Sequence, residues 1–138
     1  MIVNVQRKIP IDTRDFVPFA EDLSKFITEG DARDFSVAFV SDRRMRELNV
    51  FFRGKDSTTD VLSFPHEPDE FDTDNNLGDI VISVEQANKQ ATENGLTLEN
   101  EIKQLILHGL LHLCGYDHET DAGEMNKREL QLRKKLKI

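Results

Sequence analysis

Three of the protein's four histidines fall within the segment His108-Gly-Leu-Leu-His112-Leu-Cys-Gly-Tyr-Asp-His118. His108 and His112 are four residues apart, so on a helix they stand about 40° apart on one face. Gly115 suits the left-handed conformation that ends a helix, and a tight turn there would swing His118 back toward the first pair. Three converging imidazoles are the donor set of a zinc ion that keeps its fourth position open. The helix is otherwise apolar, with Ile102, Leu105, Ile106, Leu107, Leu110, Leu111 and Leu113. Histidines in that setting need partners for their ring nitrogens, and one Zn²⁺ per chain is the expectation. Cys114 lies two residues past His112, which on a regular helix points it about 200° away. Packing rather than ligation is its expected part.

The same histidine spacing occurs in metzincin proteases, where a glutamate after the first histidine acts as general base. This chain has Gly109 there. A glycine cannot take a proton, so a peptidase reading loses most of its support. A metal hydrolase of another bond stays open, and so does a protein in which the metal only staples the fold. Against the latter, structural zinc sites close with four ligands and are usually rich in cysteine.

The elements that must position these residues show in the periodicity of the chain. Ile2, Val3 and Val5 predict a strand over 2–8. Phe16, Phe19, Ala20, Leu23, Phe26 and Ile27 make the apolar stripe of a helix from Thr13 to Glu29, with Pro18 near its first turn and Gly30 as its stop. Phe35–Val40 alternates as a second strand. Ser41 then caps a short helix that turns Met45 and Leu48 inward. Asp60–Phe64, ended by Pro65, and Gly78–Ser83 read as the third and fourth strands. The acidic stretch between them, Glu67 to Asn76, reads as a mobile loop, a lid or a solvated connection. Ser83 with Gln86 makes a capping box for a helix that stops at Gly95. Thr97 caps the histidine helix, which runs to Cys114, and Asp121 with Glu124 opens a last helix through Lys135. Because the third and fourth strands are joined without a helix, at least one neighbouring pair is expected to be antiparallel. The fold class is α/β (α+β): a single domain over 1–138, a mixed four-stranded sheet with about five helices, and the histidine helix packed on one face.

A chain of 138 residues suffices for one domain with a sizeable core and is too short for two ordinary ones. Its longest apolar run, Leu105 to Cys114, is broken by histidines and falls far short of a membrane span. The opening Met-Ile-Val-Asn-Val-Gln-Arg-Lys holds no signal-peptide core. One cysteine permits no intramolecular disulfide, which fits a reducing compartment. The expectation is a cytoplasmic protein with no membrane partner. A net charge of −8 argues against nucleic acid, but the distribution matters more than the sum. Arg43, Arg44, Arg46, Arg53 and Lys55 cluster against only Asp42 and Glu47. Lys127, Arg128, Arg133, Lys134, Lys135 and Lys137 cluster against Glu129 alone. From His66 to Glu101 the balance reverses, with Lys89 as the sole base. The local charge permits a polyanion near Arg53, while the C-terminal run reads equally well as a solvated helix face.

Four blocks of the chain resemble a known family. Leu48-Asn-Val-Phe-Phe-Arg53, Thr59-Asp-Val-Leu-Ser-Phe-Pro65, Leu77-Gly-Asp-Ile-Val-Ile-Ser83 and the His108–His118 segment look like the bacterial YbeY family, in family order. The resemblance implies a zinc-dependent, single-strand-specific endoribonuclease that acts in 16S rRNA 3′-end maturation and ribosome quality control. Its implied partners are single-stranded RNA, rRNA and the small ribosomal subunit. It also implies His108, His112 and His118 as metal ligands and Arg53 as the arginine that engages the RNA phosphate. Zinc-activated water and the RNA 2′-hydroxyl both remain open as nucleophile. Asp60 and Asp79 lie in the family blocks and Asp117 adjoins a ligand, so these three are candidates to accept the imidazole N–H groups. Asp60 and Asp79 read equally well as strand-end residues that satisfy backbone donors. His66 reads as an ordinary loop residue, with a place at the border of the cleft as the alternative. A non-catalytic ribosome-assembly factor with a structural metal, or another metal hydrolase, is the competing reading.

Overall fold

The structure, a computed structural model, describes residues 1–31, 33–67, 71 and 75–138. Phe35, Val37 and Phe39 alternate along strand β2 (Asp34–Val40), and Ile80 and Ile82 along β4 (Asn76–Ser83), so each strand sends one apolar row to the same face. Strand β1 (Ile2–Asn4) runs parallel to β2, and β2 parallel to β4. The expected antiparallel pair is β4 with β3 (Val61–Pro65), joined by register Leu62 to Val81 and Phe64 to Asp79. The sheet order is β1-β2-β4-β3, which leaves β3 on an edge.

One face of the sheet buries its row against Phe19 and Leu23 of α1 (Val17–Phe26) and Ile102, Ile106 and Leu110 of α4 (Leu98–Leu113). Met125 and Leu132 of α5 (Glu124–Leu136) complete that core. The opposite face packs Val40, Leu62 and Val81 against Met45 of α2 (Asp42–Arg53). Helix α3 (Val84–Asn94) lies against α4. Four strands and five α-helices among the described residues match the architecture expected from periodicity.

Several boundaries moved, each for a local reason. The first strand stops at Asn4 rather than near residue 8, because the buried Gln6 side chain folds the chain into a turn. Its amide donates to Asn4 Oδ1 (2.9 Å) and to the Ile9 carbonyl (2.7 Å), and its oxygen accepts from the Lys8 and Ile9 N–H groups. The helix expected from Thr13 opens as a 3₁₀ turn, Thr13–Phe16, and becomes α-helical at Val17, where Pro18 needs no N–H partner. It ends at Phe26, since Ile27 turns extended to bury its side chain, and a second 3₁₀ turn, Thr28–Gly30, follows. Ser83 caps α3 through Gln86 N–H, but the Gln86 amide bonds Asp42 instead of closing the box. The last helix takes Gly123 at its N-cap, although Asp121 still accepts the Met125 N–H and Glu124 the Ala122 N–H. Most of the acidic stretch expected as a loop or lid lies outside the described residues, and Asn76 already belongs to β4.

The approach of α4 to the sheet is set by Gly109. A Cβ at that position would stand 2.8 Å from Ile80 Cγ2 and 3.2 Å from Ser63 Oγ. The Ser63 hydroxyl donates to the Gly109 carbonyl at 3.1 Å, fastening the helix to β3. Residue 109 therefore faces the sheet, and no glutamate could be accommodated there. Gly109→Ala is expected to lower stability by about 1–3 kcal/mol through overpacking, read from chemical denaturation of the two proteins.

Candidate metal centre

Helix α4 carries His108 and His112 one turn apart on the flank that looks onto the edge strand β3. Its end is a left-handed turn: Gly115, at φ +100°, donates to the His112 carbonyl (3.0 Å), and Tyr116 N–H donates to the Leu111 carbonyl (3.1 Å). That turn brings His118 back, so that the ring centroids of His118 lie 5.6 Å from His108 and 5.3 Å from His112. One ring nitrogen from each of the three falls within 4.8 Å of the others. Cys114 is not in this group; half-buried, it packs against the main core.

The tautomers follow from the outer partners. His108 Nδ1 lies 3.0 Å from Glu129 Oε1, and His112 Nδ1 lies 2.9 Å from the Tyr116 carbonyl oxygen. Both partners only accept, so both Nδ1 atoms carry protons and both Nε2 atoms present lone pairs. Those Nε2 atoms stand 3.2 Å apart. Two lone pairs aimed at one another repel unless a proton or a cation lies between them. The donor set therefore fits a metal ion held by neutral imidazoles, with His118 as the third ligand. Burial, joined by the nearby His108, pushes the His112 pKa down and favours the neutral form that such a site needs. Burial would raise the Glu129 pKa, but the hydrogen bond from His108 and the nearby charge of Arg133 act against it, and the net shift is downward.

A second set of contacts fixes the turn. The Tyr116 hydroxyl donates to Glu29 Oε2 at 2.9 Å, and Arg128 grips both Glu29 oxygens at 2.9 Å. Arg128 and Glu129 are neighbours on α5, so one helix steadies both the turn that bears His118 and the ring of His108. The bidentate Arg128 contact, together with the Tyr116 hydrogen bond, holds the Glu29 pKa down at about 2.

Arg53, the last residue of α2, lines the same cleft as the three histidines, a space of about 660 Å³. It comes from the opposite side of the sheet and reaches the cleft across edge strand β3. The Asn49 amide donates to the Ser57 carbonyl at 2.8 Å, which anchors the chain beyond Arg53. At the other end of α2, Asp42 accepts from Thr58 (2.6 Å), Ser83 (2.8 Å) and Gln86 (2.9 Å).

Asp60 and Asp117 also line the cleft, but their carboxylates serve backbone N–H groups, of Val61 at 2.8 Å and Glu119 at 3.0 Å. Asp79 is exposed on β4, opposite Phe64. The imidazole acceptors are Glu129 and the Tyr116 carbonyl, which the sequence reading did not single out. A signal for Glu129 was present: with Met125 and Leu132 it falls on the buried stripe of α5, a lone acid inside a basic run. That run is also partly committed to structure, through Arg128 to Glu29, Arg133 to Glu129, and Lys135 over the Phe26 ring. His66 is exposed beyond β3.

Comparison with known proteins shows likeness along nearly the whole chain. The family model described as endoribonuclease YbeY matches residues 1–137. The endoribonuclease YbeY of Nautilia profundicola is 49% identical over 106 residues, covering 77% of this chain and 74% of its own length. That of Acholeplasma laidlawii is 41% identical over 131 residues, covering 95% and 92%. The solution structure of TM1509 from Thermotoga maritima aligns with a TM-score of 0.64 at 29% identity, covering 95% of this chain and 85% of that one.

Removing the carboxylate that orients His108 is expected to weaken the centre without abolishing it. Glu129→Ala should lower metal affinity about 10- to 100-fold, measured by competition with a chromophoric chelator. The Glu29 pKa is depressed from 4.5, so its ion pair stabilises the fold fully above pH 4.5, and that stability is lost as pH falls toward 2. Glu29→Gln should therefore cost about 1–3 kcal/mol at neutral pH, and the gap from the parent should close in acid, read from denaturation at several pH values.

Proposed function

The chain belongs to the endoribonuclease YbeY family, and from that premise we propose that it is a metal-dependent endoribonuclease specific for single-stranded RNA. The observation that carries the proposal is the shared cleft, where Arg53 from one side of the sheet meets three histidines from the other. Zn²⁺, one per chain, is the ion we assign to His108, His112 and His118. When bound, zinc supplies Lewis acidity toward a phosphoryl oxygen and makes a nucleophile available near neutral pH.

The residues of the chain do the rest. His108 and His112 present their Nε2 lone pairs because Glu129 and the Tyr116 carbonyl hold the Nδ1 protons. Arg53 contributes a planar, permanently charged fork that bonds phosphate oxygens in pairs and offsets the charge that develops on them. The sheet-facing Gly109 leaves no general base where a zinc peptidase keeps its glutamate, which supports a phosphodiester rather than a peptide substrate. The opening of the donor set onto the cleft supports catalysis over a purely structural metal.

The biological substrate in this reading is ribosomal RNA, at the 3′ end of the 16S species. The setting is the small ribosomal subunit in the cytoplasm, with a further part in ribosome quality control. The support for this is the family to which the chain belongs.

Three variants test the chemical core. His112→Ala should lose both metal and cleavage. Arg53→Ala should keep its metal and cleave about 100- to 1000-fold more slowly, a loss of about 2.7–4 kcal/mol by analogy with a deleted oxyanion-hole donor. Arg53→Lys should recover part of the rate, since it restores the charge without the fork. Zinc content and single-turnover cleavage of single-stranded RNA, measured on the same preparations, decide the matter. A parent-like rate in Arg53→Ala would remove Arg53 from the mechanism.

A further inference from the structure

Helix α2 ends in two phenylalanines that the core does not use. Met45 and Leu48 are the residues it turns toward the sheet, whereas Phe51 is 80% exposed and Phe52 56% exposed. The two rings meet edge to face, with centroids 4.8 Å apart. Phe52 in turn meets Phe64 of β3, at 4.9 Å and 61°. Three rings thus form a ladder from the edge strand out into solvent. It lies across the edge strand from the cleft: Ser63 and Pro65, on either side of Phe64, line the cleft from the other face of β3, and Arg53, next to Phe52, reaches into it.

Large exposed aromatic rings on a charged helix call for an occupant, and the surrounding charge selects its kind. Arg53 and Lys55 are exposed cations at one end of the ladder. At the other end, Phe51 and Val50 border a hollow of about 450 Å³ that Arg43 and Arg46 also wall. These two arginines are partly neutralised by Glu47 and Asp56. The acid that opens the helix, Asp42, is turned inward to Thr58, Ser83 and Gln86. Apolar rings interleaved with basic side chains are the arrangement that holds a single nucleic-acid strand, since every base has a face that stacks and every linkage carries a negative charge.

We propose that Phe64, Phe52 and Phe51 form a stacking platform for the bases that flank the cleaved phosphodiester. The proposal rests on the endoribonuclease reading above and adds to it a binding surface for the strand. The phosphate to be cleaved sits between Arg53 and the histidines. The neighbouring nucleotides cross the β3 edge and lay their bases on the rings of α2. Recognition of this kind does not depend on base identity but requires an unpaired strand, because bases within a duplex have no free faces.

The experiment uses the zinc-loaded protein and two short RNA substrates of one length, one ordinary and one with abasic ribose at the flanking positions. Phe51→Ala removes the exposed ring, and Phe52→Leu removes a ring while keeping an apolar contact with Phe64. Each variant should raise the half-saturating concentration of ordinary RNA roughly 5- to 100-fold in single-turnover cleavage. The limiting rate and zinc content should stay at the parent value. On the abasic substrate, parent and variants should behave alike. The chain contains no tryptophan, so Phe51→Trp installs a sole reporter whose fluorescence should be quenched by ordinary RNA and unaffected by abasic RNA.

Unchanged half-saturation in both variants, with the parent cleaving normally, overturns the platform and leaves the functional reading intact. An equal loss on ordinary and abasic RNA overturns it as well, in favour of a structural effect. A parent dimer that Phe51→Ala turns monomeric, without change in RNA affinity, assigns the rings to a second copy of the chain and also overturns it. If the parent cleaves no RNA while Phe51→Trp is still quenched, the functional reading fails and takes the cleavage site out of the proposal, leaving the rings as a surface that binds an unpaired strand. With neither cleavage nor quenching, both fail.

Discussion

Helix α4 can rest on β3 and β4 only because residue 109 has no side chain, and the rest of the site depends on that contact. Its neighbour in sequence, His108, and His112 one turn later are turned to the cleft along β3 by the same rotation that presses Gly109 onto Ile80. Helical geometry links the two facts: a residue that faces the sheet leaves the adjacent position roughly 100° around, toward the cleft. The Ser63 hydroxyl on the Gly109 carbonyl sets the helix along its axis, so the histidines keep a defined height relative to the edge strand. A zinc-peptidase glutamate and this packing exclude one another. Whether a glutamate can follow the first histidine of this spacing is thus decided by how closely the helix approaches its sheet.

Polar contacts hold what apolar packing cannot. The turn after α4 rests Cys114 and Tyr116 on the core, and the contacts of Tyr116, Glu29 and Arg128 acting together fix its orientation. Arg128 and Glu129 divide the work between neighbouring positions of α5. Arg128 reaches away to the 3₁₀ turn at Glu29, while Glu129 reaches the His108 ring. A carboxylate in that second place also strengthens the imidazole as a donor to a cation, by sharing its Nδ1 proton. The C-terminal helix, remote in sequence from the functional blocks except for the histidine segment, is therefore part of the centre.

Charge is deployed in the same economical way. The sum of −8 conceals a helix, α2, whose exposed surface is basic around an otherwise unexplained pair of aromatic rings. The basic run in α5 looks similar as text, yet much of it is spent inside the molecule, on Glu29, Glu129 and the Phe26 ring. Arg53 is set apart by where it stands. It is carried to the cleft by a helix whose N-terminal Asp42 is bonded to three side chains and whose Asn49 grips the following loop.

Much of this was legible in the order of residues. The four strands, the helices with Ser41, Ser83 and Thr97 at their caps, and the left-handed turn at Gly115 all follow from local rules, because periodicity and capping involve residues within one or two turns of each other. The three-histidine cluster belongs to the same class, since one helix and one turn suffice to build it. Local rules failed where a distant partner intervened, as when Gln86 left its expected box for Asp42, or when Ile27 broke the first helix to reach the core. They left the imidazole acceptors open. Asp60 takes the strand-end part also expected of it, Asp117 bonds its own backbone, and the acceptor for His108, Glu129, arrives from a separate helix. By itself the sequence determined which side chains form the three-histidine cluster, because their spacing is a property of one continuous segment. Only the tertiary structure decided what orients that set and what faces it, because Glu129, Glu29 and Arg53 reach the site through the packing of three other elements around the sheet.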